Sequence, residues 1–234
     1  MITLQEISKL AADSKNMVDI GDSYADSRRK WVFDPANAGK DMWWGKDQPY
    51  YKFLYLVAKH RHGGLAIEVG THAGIGFSCL AAGANASGDL KSWTVGIDKT
   101  NHAAAIEVST KYKNCVFMNG LSVDKIIISN IEKICKVNDI KINIMFIDAT
   151  HTHDWVNEEL KTYRHLFSDN VILIFDDIIK ADNNDRLPEC FARLPGQKAN
   201  FPNLHTDNCI AVSLTSKDEF ATWTPPTPTT ALRW

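Results

Sequence analysis

The chain has 234 residues, 44% of them hydrophobic, which predicts one large domain over residues 1–234 with a substantial core. Its formal net charge of -2, with both signs interspersed, gives no basic surface for a nucleic-acid partner. The five cysteines are odd in number and lack CxxC spacing, which favours reduced thiols in a cytoplasmic protein over disulfides or a zinc site. Because no signal peptide and no apolar run of about 20 residues is present, we expect no membrane partner.

Residues 61–180 alternate between strand and helix patterns. This alternation predicts a doubly wound, mostly parallel α/β sheet. Short apolar runs bounded by turn residues predict buried strands at Leu65–Val69, Trp93–Ile97, Val116–Asn119, Ile142–Ile147 and Val171–Phe175. The crossover helices predicted between them are Phe77–Ala82, His102–Lys111, Ser122–Lys136 and Asp154–Leu166. In the last helix, Glu158, Glu159 and Lys161 lie between the apolar positions and predict a polar face.

The segments that flank this core differ from it in composition. Residues 1–60 form an N-terminal helical segment rich in aromatic residues, for which packing on the sheet is favoured and a lid at Trp43–Lys46 is the alternative. Residues 181–234 are predicted to add C-terminal strands and a tail. The elements predicted in the flanks and the link before the last core strand are a helix at Tyr51–Lys59, a helix stop at Ser168-Asp169-Asn170, a strand at Cys209–Leu214 and an extended Pro/Thr-rich tail at Trp223–Trp234.

The stretch from Glu68 to Gly76, EVGTHAGIG, joins the first predicted strand to the first helix. Glycine permits positive φ and close approach of a ligand, so this turn is predicted to lie against a bound small molecule. Its order, E-x-G-x-x-x-G-x-G, differs from the G-x-G-x-x-G of dinucleotide enzymes. Glu68 can accept hydrogen bonds from a ligand, and Asp98 at the end of the second strand can bind both hydroxyls of a ribose. Together the turn and Asp98 predict a nucleoside ligand.

In these motifs the chain resembles the class I S-adenosylmethionine-dependent methyltransferases. The resemblance covers Leu65–Asp177 and implies a Rossmann-like fold that binds S-adenosylmethionine. It places Glu68, Gly70, Gly74 and Gly76 beside the methionine part, Asp98 at the ribose, and Gly120 and Ser122 beside the adenine. From the residues alone, Gly120-Leu121-Ser122 is equally a plain strand-to-helix turn with Ser122 as helix N-cap.

Acidic residues also end the fourth and fifth predicted strands. Asp148 follows one strand, and Asp176 and Asp177 follow the next. Because adjacent parallel strands end at the same edge of a sheet, the three carboxylates are predicted to meet there, where only a cation would offset their repulsion. Mg²⁺, Mn²⁺ or Ca²⁺ would match such oxygen ligands. The alternative is that Asp176 or Asp177 caps a turn while Asp148 orients the cofactor.

This spacing resembles that of the metal-dependent small-molecule O-methyltransferases of the catechol, caffeoyl-coenzyme A and macrolide-sugar types. In those families the general base lies three residues after the first acid, and here that position is His151. The resemblance therefore implies that His151 is the catalytic base, with His153 as a second candidate. His72, within the glycine turn, is expected to contribute only its backbone.

The combined prediction is a metal-assisted, S-adenosylmethionine-dependent O-methyltransferase. The acceptor would be a hydroxyl of a small molecule such as a phenol, a sugar or another natural product. Two alternatives remain open: a nucleoside-binding module without methyl transfer, and a hydroxylase-type relative of the same fold. A homo-oligomer is also left open by the sequence.

Overall fold

The computed structural model describes residues 2–17, 49–61, 63–150, 152–178, 187–202, 204 and 209–224. They form a seven-stranded sheet with helices on both faces. The strands are β1 (Leu65–Val69), β2 (Trp93–Asp98), β3 (Cys115–Asn119), β4 (Ile142–Ile147), β5 (Phe167–Phe175), β6 (Gln197–Phe201) and β7 (Ile210–Ser216). The helices are α1 (Leu4–Asn16), α2 (Pro49–His60), α3 (Ile75–Ala86), α4 (Ala103–Lys111), α5 (Lys125–Asn138), α6 (His153–Tyr163), α7 (Leu187–Arg193) and α8 (Lys217–Thr222), with a 3₁₀ turn at Arg164–Leu166 after α6.

The strand order is β3-β2-β1-β4-β5-β7-β6. Strands β1 to β5 are parallel, whereas β7 lies antiparallel between β5 and β6. The predicted doubly wound, mostly parallel sheet is therefore confirmed. The order reverses between β1 and β4, and in such sheets ligands bind in the crevice outside the carboxyl ends of the strands at this reversal.

The alternation of side chains along each strand divides the core into two layers. On β1, Leu65, Ile67 and Val69 face the layer formed with α5, α6, α7 and α8, whereas Ala66 faces the layer formed with α1, α2 and α3. All five residues of β1 are buried, as are all six of β4. This burial on both faces explains why the strands appear in the sequence as continuous apolar runs.

The helix stop predicted before the last core strand is wrong. Ser168-Asp169-Asn170 does not end a helix but belongs to β5, where Asn170 pairs with Ser216 of the antiparallel strand β7. The guanidinium of Arg61 also donates a 2.5 Å hydrogen bond to the carbonyl of Asn170. Pairing with a distant strand thus overrides the local turn preference of Asp and Asn.

The structure also adds elements at both ends of the chain. Helix α1 begins with a capping box, in which Thr3 and Glu6 satisfy each other's backbone amides. Helix α7, strand β6 and helix α8 follow the core, and the predicted strand near Cys209 is β7. Trp223, predicted to begin a loose tail, is instead buried against Phe220, with ring centroids 5.2 Å apart. Trp43–Lys46 and the tail from residue 225 lie outside the described residues.

All five cysteines lie within the described residues and are buried, and no two of them form a disulfide, as their number and spacing predicted. No helix in the described part of the chain is both long enough and apolar enough to cross a membrane.

Candidate functional site

The turn after β1 allows the carboxyl ends of β1 and β4 to approach each other closely. Gly70 has φ +88°, and a Cβ at this position would lie 2.5 Å from the carbonyl carbon of Asp148. A Cβ at Gly76 would collide with the carboxylate of Glu68. Gly74, with φ +85°, is the N-cap of α3. Side chains at these positions would strain the turn or collide with neighbouring residues, so the glycines allow this turn to pack closely against the end of β4 and against Glu68.

A cavity of about 260 Å³ lies directly against this turn. Its lining comes from the turn, from Glu68 and from two further elements, α2 and the end of β4. The lining residues are Tyr51, Glu68, Gly70, Thr71, His72, Ala73, Ile75, Gly76 and Asp148. The sequence predicts Tyr51 only as the first residue of a helix in the aromatic-rich segment. Its position beside the cavity depends on how α2 packs.

Glu68 is an acid buried at the base of this cavity, with 1% of its surface exposed. Its Oε2 atom has no hydrogen-bond partner among the described residues. Burial raises the pKa of Glu68 well above its ordinary value, and the negative charges of Asp148 and Asp98 raise it further. The nearby Thr71 hydroxyl and Phe77 amide lower this pKa but do not reverse the shift. An ammonium or hydroxyl donor in the cavity would satisfy the open oxygen.

Asp98 is held in place at the end of β2 by two backbone amides. The His72 amide donates to Oδ2 and the Thr100 amide donates to Oδ1, each at 2.7 Å. His72 adopts φ +45°, and it lines the cavity. Each carboxylate oxygen keeps acceptor capacity for a further donor, as recognition of two ribose hydroxyls requires. The structure thus places the His72 backbone beside Asp98, the residue predicted to bind the ribose.

The turn after β3 lies beside this acid. The Gly120 amide donates a 2.9 Å hydrogen bond to the carbonyl of Asp98. The alternative in which Ser122 is a helix N-cap does not hold, because α5 begins at Lys125 and its N-cap is Asp124. The Ser122 hydroxyl instead donates to the buried carboxylate of Glu159 at 2.5 Å. Glu159 was predicted to lie on a polar face, but it is fully buried because α6 turns it toward this loop.

The predicted metal ligands follow strands that end at the same edge of the sheet. The Asp148 amide bonds to the Val69 carbonyl at 2.9 Å, and the Asp176 amide bonds to the Ile147 carbonyl at 3.1 Å. Asp176 is buried and Asp177 has φ +56°. Within the described ranges, however, no group of three or more His, Cys, Asp or Glu side chains is arranged to hold a metal ion. The three carboxylates therefore do not form the predicted donor set in this structure.

Tyr50 is a further residue near these carboxylates. Burial raises its pKa well above the ordinary value, and the neighbouring Tyr51, Asp176 and Asp148 contribute to the same shift. The phenol therefore stays protonated beside the two acids. Nothing in the local sequence distinguishes Tyr50 from a core aromatic residue, since its place depends on the packing of α2 against the sheet.

The structure describes only one of the two candidate bases. His151 lies outside the described residues. His153 is 3% exposed at the start of α6, and its Nδ1 is 2.9 Å from an Asp154 carboxylate oxygen and 3.2 Å from the Asn157 amide nitrogen. Asn157 also accepts a hydrogen bond from the Cys190 thiol of α7, so the His153 ring belongs to the contact between α6 and α7. His153 does not line the cavity described above.

A glycine turn, the Asp98 carboxylate oriented by two backbone amides and an open cavity thus lie together at the carboxyl ends of this doubly wound sheet. Residues 67–178 match a family model described as a methyltransferase domain. This match confirms the methyltransferase domain that the motifs in this part of the chain indicated. No curated protein shows a significant match to the chain.

Several solved structures share this fold. An O-methyltransferase from Bacillus cereus, solved with S-adenosylhomocysteine, is 18% identical, with a TM-score of 0.59 over 91% of this chain and 100% of that one. TomG from Streptomyces achromogenes, involved in tomaymycin synthesis and solved with S-adenosylmethionine, is 15% identical, with a TM-score of 0.62 over 92% and 100%. MycE from the mycinamycin pathway, solved with Mg and S-adenosylhomocysteine, is 12% identical, with a TM-score of 0.51 over 88% of this chain and 57% of its own.

Proposed function

We propose that this protein transfers the methyl group of S-adenosylmethionine to a hydroxyl oxygen of a small molecule. The observation that carries the proposal is the Asp98 carboxylate, fixed by two backbone amides beside a glycine-lined cavity. Because both carboxylate oxygens are oriented before a ligand arrives, little ordering cost remains for binding a ribose. The solved relatives of the same fold, which contain S-adenosylmethionine or S-adenosylhomocysteine, support the choice of nucleoside.

The residues present fit this cofactor along the whole crevice. Gly70 and Gly76 line the cavity and Gly74 caps the helix beside it, so the methionine part would lie against this turn. The open Glu68 oxygen would accept from its ammonium group. Asp98 would bind the ribose. Gly120 and Ser122 would border the adenine, because their turn is hydrogen-bonded to the Asp98 carbonyl through Gly120.

The chemistry assigned to the chain is positioning and proton removal. S-adenosylmethionine, when bound, supplies an electrophilic methyl group on sulfur. An acceptor hydroxyl must lose its proton to become an effective nucleophile, and we assign that proton to His151. The walls of the cavity would hold the acceptor oxygen near the methyl group and limit competing water. TomG and MycE belong to natural-product pathways, which supports a small hydroxylated acceptor.

Thermal unfolding in the presence of S-adenosylhomocysteine tests the proposal. A ligand that binds only the folded state must raise its stability, so we expect an increase in Tm that grows with ligand concentration. Incubation with S-adenosylmethionine and hydroxylated acceptors should then add the mass of one methylene unit to a product. Binding without any product would favour the nucleoside-binding module, and addition of one oxygen would favour the hydroxylase-type alternative. No Tm shift would contradict the proposal.

Metal assistance through Asp148, Asp176 and Asp177 stays a prediction from the sequence. MycE, which shares the fold, is solved with Mg. The same turnover assay in excess EDTA is expected to lose activity and to recover it with Mg²⁺. Full activity in EDTA would remove the metal from the proposal and leave the methyl transfer itself unaffected.

We expect Glu68→Gln to weaken binding of S-adenosylhomocysteine by about 10- to 100-fold, the loss typical when a charged partner of an ammonium is neutralised. The unliganded variant should be more stable than the wild type at neutral pH. Because the pKa of Glu68 is raised by folding, its contribution to stability is complete below the ordinary carboxyl pKa and is lost as pH rises through the raised value. Calorimetric titration and thermal unfolding between pH 5 and 8 measure both effects.

The matched control for this prediction is Glu132→Gln on the exposed surface, where the carboxylate lies 3.0 Å from His165 Nε2. It should leave affinity for S-adenosylhomocysteine unchanged. A Glu68→Gln variant that is destabilised at neutral pH and binds like the wild type would contradict the assigned role.

A further inference from the structure

A buried polar cluster connects the turn after β3 to helix α6. The Glu159 carboxylate, 0% exposed, accepts from the Ser122 hydroxyl at 2.5 Å and from the Trp155 indole at 2.7 Å. The Tyr163 hydroxyl donates to the Ser122 carbonyl. Ser122 is therefore held both through its side chain and through its backbone.

The three residues of α6 in this cluster lie four positions apart. Trp155, Glu159 and Tyr163 thus form one stripe of the helix, and this stripe faces Ser122. The bond from Ser122 to a carboxylate is charge-assisted, which makes it stronger than a bond between neutral groups. Because burial of a carboxylate is energetically unfavourable, the hydrogen bonds from Ser122 and Trp155 are needed to stabilise it in the fold.

The same turn carries the proposed adenine contact. Since the Ser122 hydroxyl donates a hydrogen bond to Glu159, and Ser122 is 3% exposed, this side chain is directed into the protein. The contribution of Ser122 to adenine binding would then come from the position of its backbone. That position is set by α6, the helix that follows β4 and Asp148.

We propose that Glu159 is a positioning residue that sets cofactor affinity by fixing Ser122, and thereby the adenine side of the crevice. The inference rests on the proposed function, because it concerns the same cofactor. Loosening this anchor would let the turn sample positions that do not bind adenine, so affinity falls while the reacting groups at the other end of the crevice are unchanged.

Calorimetric titration with S-adenosylhomocysteine tests the inference on the wild type, Glu159→Gln, Ser122→Ala and the double variant. Glu159→Gln is expected to raise Kd about 5- to 10-fold, since a charge-assisted bond becomes a neutral one. In the Ser122→Ala background the same change should alter Kd less than about twofold, because its partner is already absent. The KM for S-adenosylmethionine should rise in parallel, with kcat at saturation within about twofold of the wild type.

The matched control is Glu158→Gln, which changes the neighbouring acid, a residue that forms an ion pair with Lys161. It should leave Kd unchanged. If Glu159→Gln does not fold, Tyr163→Phe removes the second bond to Ser122 and should raise Kd about 3- to 5-fold. The inference would be overturned by wild-type affinity in Glu159→Gln or by additive effects in the double variant. If only Tyr163→Phe folds, wild-type affinity in that variant would overturn it. A wild type that does not bind S-adenosylhomocysteine would instead overturn the proposed function.

Discussion

Replacing Asp98 by alanine is expected to weaken binding of S-adenosylhomocysteine by about 10²- to 10⁴-fold. Each hydrogen bond from a ribose hydroxyl to an ionised carboxylate is worth about 1.5–3 kcal/mol, and Asp98 would accept two. The carboxylate is already oriented by the His72 and Thr100 amides, so the loss includes a preorganised partner. Calorimetric titration of the folded variant measures the change in Kd.

The structure offers a matched aspartate for this experiment. Asp89, in the loop before β2, also accepts from a backbone amide, that of Lys91 at 2.8 Å, but it lies at the opposite end of the strand. Asp89→Ala therefore removes a similar turn contact without touching the crevice, and its Kd should match that of the wild type. Equal losses in the two variants would mean that Asp98 acts through turn stability and not through the ribose.

Replacing His151 by alanine is expected to reduce kcat by about 10²- to 10⁴-fold, which is the usual contribution of a positioned general base. Affinity for S-adenosylhomocysteine should stay within about twofold of the wild type, because that ligand carries no acceptor proton. The basis is the position of His151, three residues after Asp148, together with the separate role of His153. Steady-state kinetics with a saturating acceptor and titration of the same sample separate the two effects.

His153 is the internal control for this prediction. Its ring is buried in contacts with Asp154 and Asn157, so His153→Ala should lower the free energy of unfolding by about 1–3 kcal/mol. Turnover measured well below the melting temperature should remain within a few-fold of the wild type. A large loss of kcat in His153→Ala, with normal turnover in His151→Ala, would exchange the two assignments.

Much of the sheet could be predicted because its central strands are buried on both faces. β1 and β4 have the bounds that their apolar runs indicated, since burial alone selects those residues. The beginning of β5 could not be predicted in the same way. Ser168-Asp169-Asn170 has turn chemistry, and only pairing with β7, far along the chain, holds it as a strand.

The site was predictable to the extent that backbone position determines it. Asp98 and Asp148 follow strands that end at one edge, and the glycines mark the turn at that edge. Side-chain direction was not predictable. The sequence was equally consistent with Ser122 as an adenine contact and as an N-cap, and it predicted Glu159 on a polar face. Both point into a buried cluster because α6 packs against the turn after β3.

The sequence by itself indicated the methyltransferase domain, because short local segments of the chain mark its strand ends and its glycine turn. Only the tertiary structure decided which polar groups meet inside that frame. It buried Glu68 next to Asp148, held Asp98 on two amides and joined Ser122 to Glu159. These contacts depend on how helices from separate parts of the chain pack on the sheet, and hydrophobic periodicity alone carries no information about that packing.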